Sequence, residues 1–175
     1  WVSWQLKESR EQPTAISQIK EVGGTIYYDY QQLPGTGEGR SAPVFSDERR
    51  RPPRSLIRKL LGKLWPDVVV AVDLVGDHIT DDHVALVQDL PHLAYVIIKS
   101  RNVTDKSIHD IGALTKLKIL GINDAPITDN GINQLRSSTA LIGLGLINSE
   151  VTDEGVRQLQ RALPQCYIAR KKGEQ

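Results

Sequence analysis

The chain has 175 residues, 39% of them hydrophobic and 25% charged, which suits one domain with a sizeable core and excludes wholesale disorder or a buried membrane bundle. Lys and Arg number 22 against 21 Asp and Glu, a net charge of +1 with histidine neutral, so no nucleic-acid partner is expected. The single cysteine, Cys166, cannot close an internal disulfide and reads as a small buried hydrophobe; a reactive thiol is the lesser alternative.

Taken in chain order, residues from about Glu8 to Glu21 set Ala15, Ile16, Ile19 and Val22 at helical spacing, and Gly23-Gly24 end the pattern as a C-cap does. Thr25 to Tyr30 then reads as a strand. This helix–strand unit is expected to cap the open end of whatever follows. Gln31 to Pro53 holds Pro34, Pro43, Pro52, Pro53, Gly35, Gly37 and Gly39, and reads as a mobile loop whose middle, Val44-Phe45, is the one place able to pin it to the body. Ser55 to Leu64 resumes a helical pattern through Leu56, Ile57, Leu60, Leu61 and Leu64. Residues 1–67 are therefore read as a leader with two cap helices, and 68–175 as a separate array.

In the array, Thr-Asp recurs at Thr80-Asp81, Thr104-Asp105, Thr128-Asp129 and Thr152-Asp153, 24 residues apart each time. Apolar columns keep that register: Val72, Val96, Leu120 and Leu144; Leu74, Ile98, Ile122 and Leu146; Ile79, Val103, Ile127 and Val151; Val87, Ile111, Leu135 and Leu159. Within a unit, Leu93-x-x-Val96-x-Ile98 is a short leucine-rich-repeat strand, Thr104 suits a helix N-cap, and Ile108, Ile111 and Leu114 make one helical stripe. The expected fold is α/β: a leucine-rich-repeat solenoid of four 24-residue strand–loop–helix repeats with an N-terminal helix–strand cap. Parallel inner strands are expected near 69–74, 93–98, 117–122 and 141–146, and a closing strand after Leu163-Pro164. The ninth position of each unit, often Asn in such repeats, is Asp77, Arg101, Ala125 or Ser149, so the turns must find hydrogen-bond partners other than an asparagine ladder.

The strand pattern turns alternate residues away from the core. Tyr95, Ile97, Ile119 and Ile147, with Lys99 and Asn123 at the polar edge, are thus expected exposed on the concave face, beside a shallow recess left by Gly121, Gly143 and Gly145. That is the anatomy of a protein-binding patch. Cover by the loop around Phe45, or no role for the glycines, are the competing readings.

Other constellations are weaker. Asp77-His78-Ile79-Thr80-Asp81-Asp82-His83 gathers metal-capable side chains, but the repeat register assigns Asp81 a structural column and His78 and His83 loop and cap positions, so no metal is expected. His92, His109 and Cys166 are dispersed across the register, no nucleophile elbow or phosphate loop appears, and Gly35 to Gly39 lacks a flanking strand, helix and lysine. No catalysis and no cofactor are expected, and the molecule is read as a monomer. Arg49, Arg50, Arg51, Arg54, Arg58, Lys59 and Lys63 form an acid-free basic run, read as a solvated segment with anionic lipid as the alternative partner.

Two sets of residues carry a family resemblance. Val151-Thr-Asp-Glu-Gly-Val-Arg-Gln-Leu-Gln-Arg-Ala-Leu-Pro164 resembles the terminal unit of bacterial leucine-rich-repeat proteins of the internalin-A-like and ribonuclease-inhibitor-like kind. Trp1-x-x-Trp4-Gln5, Ala15-Ile16 and Gly23 to Tyr30 resemble the front of a membrane-anchored subset. The resemblance implies a protein-binding module without catalytic residues, and a transmembrane helix directly upstream. With no methionine in the chain and Trp1 at its start, the sequence is read as an N-terminally truncated fragment of such a protein.

Overall fold

The computed structural model describes residues 13–28 and 69–172. The loop 31–53, the helix expected over 55–64, the basic run 49–63, Trp1 and Trp4 lie outside the described residues.

Residues 13–21 form helix α1, which buries Ala15 and Ile19 and half-buries Ile16 and Val22, the stripe read from their spacing. Gly23, in the left-handed region at φ 74°, and Gly24 end it; their N–H groups donate to the carbonyls of Lys20 at 3.0 Å and Ile19 at 2.8 Å. A side chain at Gly24 would place its Cβ 2.7 Å from Ile19 Cγ2, so the close reversal needs glycine there. Strand β1 (Thr25–Tyr28) follows at once.

The array then repeats one plan. Strand β2 (Val69–Val75) leads to helix α2 (Asp81–Ala85), which tightens into a 3-10 turn over Leu86–Asp89. The later units are β3 (Tyr95–Lys99) and α3 (Asp105–Gly112), β4 (Ile119–Asn123) and α4 (Asp129–Asn133) with a 3-10 turn at Gln134–Ser137, and β5 (Gly143–Ile147) and α5 (Asp153–Ala162). The closing strand β6 (Tyr167–Lys171) ends the described chain. Strands β3, β4 and β5 begin two residues later than their spacing predicts. The cause is that Leu93, Leu117 and Leu141 spend their N–H groups on the preceding bend, donating to Leu90 at 3.0 Å, Leu114 at 3.3 Å and Ser138 at 2.9 Å, before the ladder starts.

The six strands form one sheet in the order β1-β2-β3-β4-β5-β6. From β2 onward every neighbour is parallel, and Ala71, Tyr95, Ile119, Gly143 and Tyr167 stand in one line across the strands. The sheet register is therefore the 24-residue sequence register. The four apolar columns named above are buried between the sheet and the helices in a single continuous core; each such aliphatic side chain contributes about 1.5–3 kcal/mol on burial. No unit could bury this surface alone.

The N-terminal unit joins the sheet differently from the repeats: strand β1 runs antiparallel to β2, with a register irregularity between Tyr27 and Tyr28. Between repeats, a short crossover through a helix returns each strand in the same direction. Forty residues separate β1 from β2, a length that imposes no direction on the pair.

The turns find their partners in the Thr-Asp column. The Asp81 carboxylate accepts the N–H of Thr104 at 2.8 Å and its hydroxyl at 2.7 Å. Asp105 does the same for Thr128 at 2.8 and 2.6 Å, and Asp129 for Thr152 at 2.7 Å in both bonds. Each Thr hydroxyl in turn accepts from its own helix: from Lys106, Asn130 and Gly155 N–H at 3.4, 3.2 and 3.1 Å. One threonine thus caps its helix and ties it to the unit before. Ser107 adds its hydroxyl to Asp81, whereas a Cβ at Gly131 or Gly155 would collide with the carboxylate of Asp105 or Asp129.

At the first described step of this ladder, Thr80 gives its N–H to His83 Nδ1 at 3.1 Å. At the last, Asp153 takes the Arg170 guanidinium, whose other arm donates to the Val151 carbonyl at 2.9 Å.

Candidate functional site

The sheet face turned away from the helices carries three parallel rows of side chains, set by the register. The first runs Ala71, Tyr95, Ile119, Gly143, Tyr167; the second Asp73, Ile97, Gly121, Gly145, Ala169; the third Val75, Lys99, Asn123, Ile147, Lys171. All six residues expected to form a binding face belong to these rows, so the strands bring them together on one surface.

Their exposure differs from one to the next. Ile97 and Ile147 are 40% and 43% exposed, as anticipated, and Ile119 and Asn123 are half-buried. Lys99 is exposed and reaches Asp124, just past the end of the neighbouring strand β4, at 3.8 Å. Tyr95 is the correction: only 9% of it is accessible, because it forms a second small apolar cluster with Ala71 and Ala94 against which Tyr27 and Ile119 pack. The antiparallel β1 is what places Tyr27 there, opposite Ala71. Burial also pushes the Tyr95 phenol above its usual range.

Beside Tyr95, the Tyr27 hydroxyl donates to Asp73 at 3.2 Å. Burial raises the Asp73 carboxyl above the ordinary carboxylate range, and the Tyr27 bond offsets only part of that. Tyr27 is pushed up too, by burial first and then by the Asp73 charge and the bond between them. Sequence reasoning missed this pair, since residues 46 apart reveal nothing of a reversed edge strand.

Each of the three strand glycines has room for a small side chain. A Cβ at Gly121 would lie 3.6 Å from Ile97 Cγ1, one at Gly143 3.7 Å from Ile119 Cγ1, and one at Gly145 4.0 Å from Gly121 Cα. These are ordinary contacts, so the backbone does not demand glycine; its effect is to leave a trough between the Ile97 and Ile119 side and the Tyr167 and Ile147 side. Tyr167, 76% exposed, closes the far wall and was missed because the last strand departs from the leucine pattern. The 24-residue register from Gly143 locates it.

The histidine-rich loop does other work. His83 is held at the Thr80 cap, and His78 Nε2 donates to the Val22 carbonyl at 2.7 Å, joining the first repeat to α1. Gly76, at φ 130°, leaves the room that the His78 ring fills. Among the described residues no group of three or more His, Cys, Asp or Glu is placed to hold a metal ion. Cys166 is buried just before β6, and burial raises its thiol further. No helix of the described residues is long and apolar enough to cross a membrane.

No family model matches the chain, and no curated protein does. Among solved structures it is similar to internalin C2 from Listeria monocytogenes, with 24% identity over 49% of this chain and 35% of that one, at a TM-score of 0.40. The stretch of likeness therefore spans well under two thirds of that protein's length.

Proposed function

We propose that the chain is a non-catalytic recognition module, a leucine-rich-repeat solenoid that binds a protein partner on the outward, concave face of its sheet. The supporting observation is the trough at Gly121, Gly143 and Gly145, walled by the exposed Ile97, Ile147 and Tyr167. An apolar side chain of a partner fills that trough, Ile97, Ile119 and Ile147 give up their remaining water-exposed surface, and Lys99 and Asn123 form the polar rim. Tyr95 acts from beneath, holding Ile119 in place. The reading that the basic run 49–63 docks the protein to anionic lipid, in a membrane-anchored parent chain, rests on sequence alone.

A photo-cross-linking residue placed at Ile147, and in a second protein at Arg157 on the helix side, tests the face in cells. Adducts to one protein from position 147 and none from 157 are expected. Equal labelling from both, or labelling from 157 only, would move the partner off the sheet.

A further inference from the structure

Among the described residues, β6 has a neighbour on one side only. Tyr167 N–H donates to the Ile142 carbonyl at 2.9 Å, and the Lys171 carbonyl accepts from Asn148 N–H at 2.8 Å. Backbone groups of alternate residues in a strand point to the same side, so residues 167, 169 and 171 spend theirs on β5. Ile168 and Arg170 consequently hold their N–H and C=O toward the open edge. Such a row is a template for another strand.

Three features fix which strand it suits. The edge is stiff, because Arg170 clamps it to Val151 and Asp153. It is regular, unlike the opposite edge at β1, where the register slips between Tyr27 and Tyr28. And it is cationic: Lys171 and Lys172 are exposed, and neither has an ion-pair partner among the described residues. Two copies joined edge to edge would crowd four lysines onto one short ribbon, and the chain's own basic run 49–63 has the same sign. Acidic chains alone are favoured.

We propose that β6 is a second interaction site, at which an extended, acidic segment of a partner protein adds as a seventh strand. Its carboxylates lie against Lys171 and Lys172, and its backbone pairs with Ile168 and Arg170. This site uses the outer edge of β6 and not the trough: Tyr167 and Lys171 also belong to the outward rows, but neither Ile97 nor Ile147 takes part in the added pairing, so its failure leaves the face reading standing.

The test uses the whole chain and three labelled ten-residue peptides followed by fluorescence anisotropy at low salt. One alternates Val and Glu, one alternates Val and Lys, and one is the Val-Glu peptide N-methylated on every second amide. Expected is binding of the acidic peptide at least about tenfold tighter than of the other two, with slowed hydrogen exchange at the Ile168 and Arg170 amides. The surface variant Lys171→Glu/Lys172→Glu should lose at least about tenfold for the acidic peptide and gain for the basic one. The proposal is overturned by no binding of the acidic peptide at millimolar concentration, by equal binding of the N-methylated peptide, or by exchange protection confined to other strands. Concentration-dependent dimerisation that protects the same two amides would overturn it too.

Discussion

The repeats and the N-terminal unit are built from the same parts, a helix with one apolar stripe, a tight turn and a short strand, yet they join the sheet in opposite directions. In the repeats a crossover of fixed length and a Thr-Asp bond at every step make each strand parallel to the last. At the N-terminus, helix and strand are tied together by Gly23 and Gly24, and they join the array through the β1–β2 pairing, the His78 and Tyr27 hydrogen bonds, and the burial of Ile19 and Ile26 in the shared core. Local sequence sets each part; the connection between parts sets direction. The reversal also matters for the surface, because it brings Tyr27 over Tyr95 and Asp73 and covers one end of the outward face.

The comparison can be broken hardest in the core. Leu120→Ala, in the middle of the array, should cost about 2–5 kcal/mol in urea unfolding, whereas Ile26→Ala on the edge strand should fall at the low end, about 2 kcal/mol. Equal, small losses at both sites would mean that the repeats are no better packed than the cap. Next comes the ladder. Asp129→Ala strands the Thr152 N–H and hydroxyl and should cost about 1–3 kcal/mol. Gly155→Ala pushes the same carboxylate aside and should cost about 1–3 kcal/mol, while Gly155→Ser should cost less, since Ser107 shows a hydroxyl bonding to the aspartate from that column. A serine worse than alanine would refute that account.

The two regions should also respond oppositely to pH. Burial raises the Asp81 carboxyl, but the bonds from Ser107 and Thr104 and the charge of Lys106 outweigh it and leave it below the ordinary 3.8. Its contribution is present above 3.8 and is lost as pH falls through the lower folded value. Asp73 is raised above 3.8, so the folded state holds its proton longer, and stability declines as pH rises from 3.8 through that higher value. Asp73→Asn should abolish that decline while changing neutral-pH stability by less than about 1 kcal/mol, read from urea midpoints across the pH range. An unchanged profile would mean that Asp73 is not the group responsible. The smallest effect belongs to the trough: Gly143→Ala has an ordinary contact waiting at Ile119 and should stay within about 0.5 kcal/mol of the parent in stability. A loss of several kcal/mol would show that the glycine is structural after all.

What the amino-acid order determined by itself was everything carried by period. The 24-residue register fixed the strand alignment, the buried columns, the threonine caps and the membership of the outward rows, because side chains that must meet in stacked units have to recur at the same interval. It also placed Cys166 in the core. Beyond its reach was whatever depends on one segment meeting a distant one. Strand direction at β1, the covering of Tyr95, the Tyr27–Asp73 bond, and the bonds of His83 to Thr80 and of Arg170 to Asp153 each occur once among the described residues, so no repetition announced them. They follow from three-dimensional contact between non-periodic pieces, where a carboxylate or a backbone N–H takes the nearest group that chain geometry brings to it.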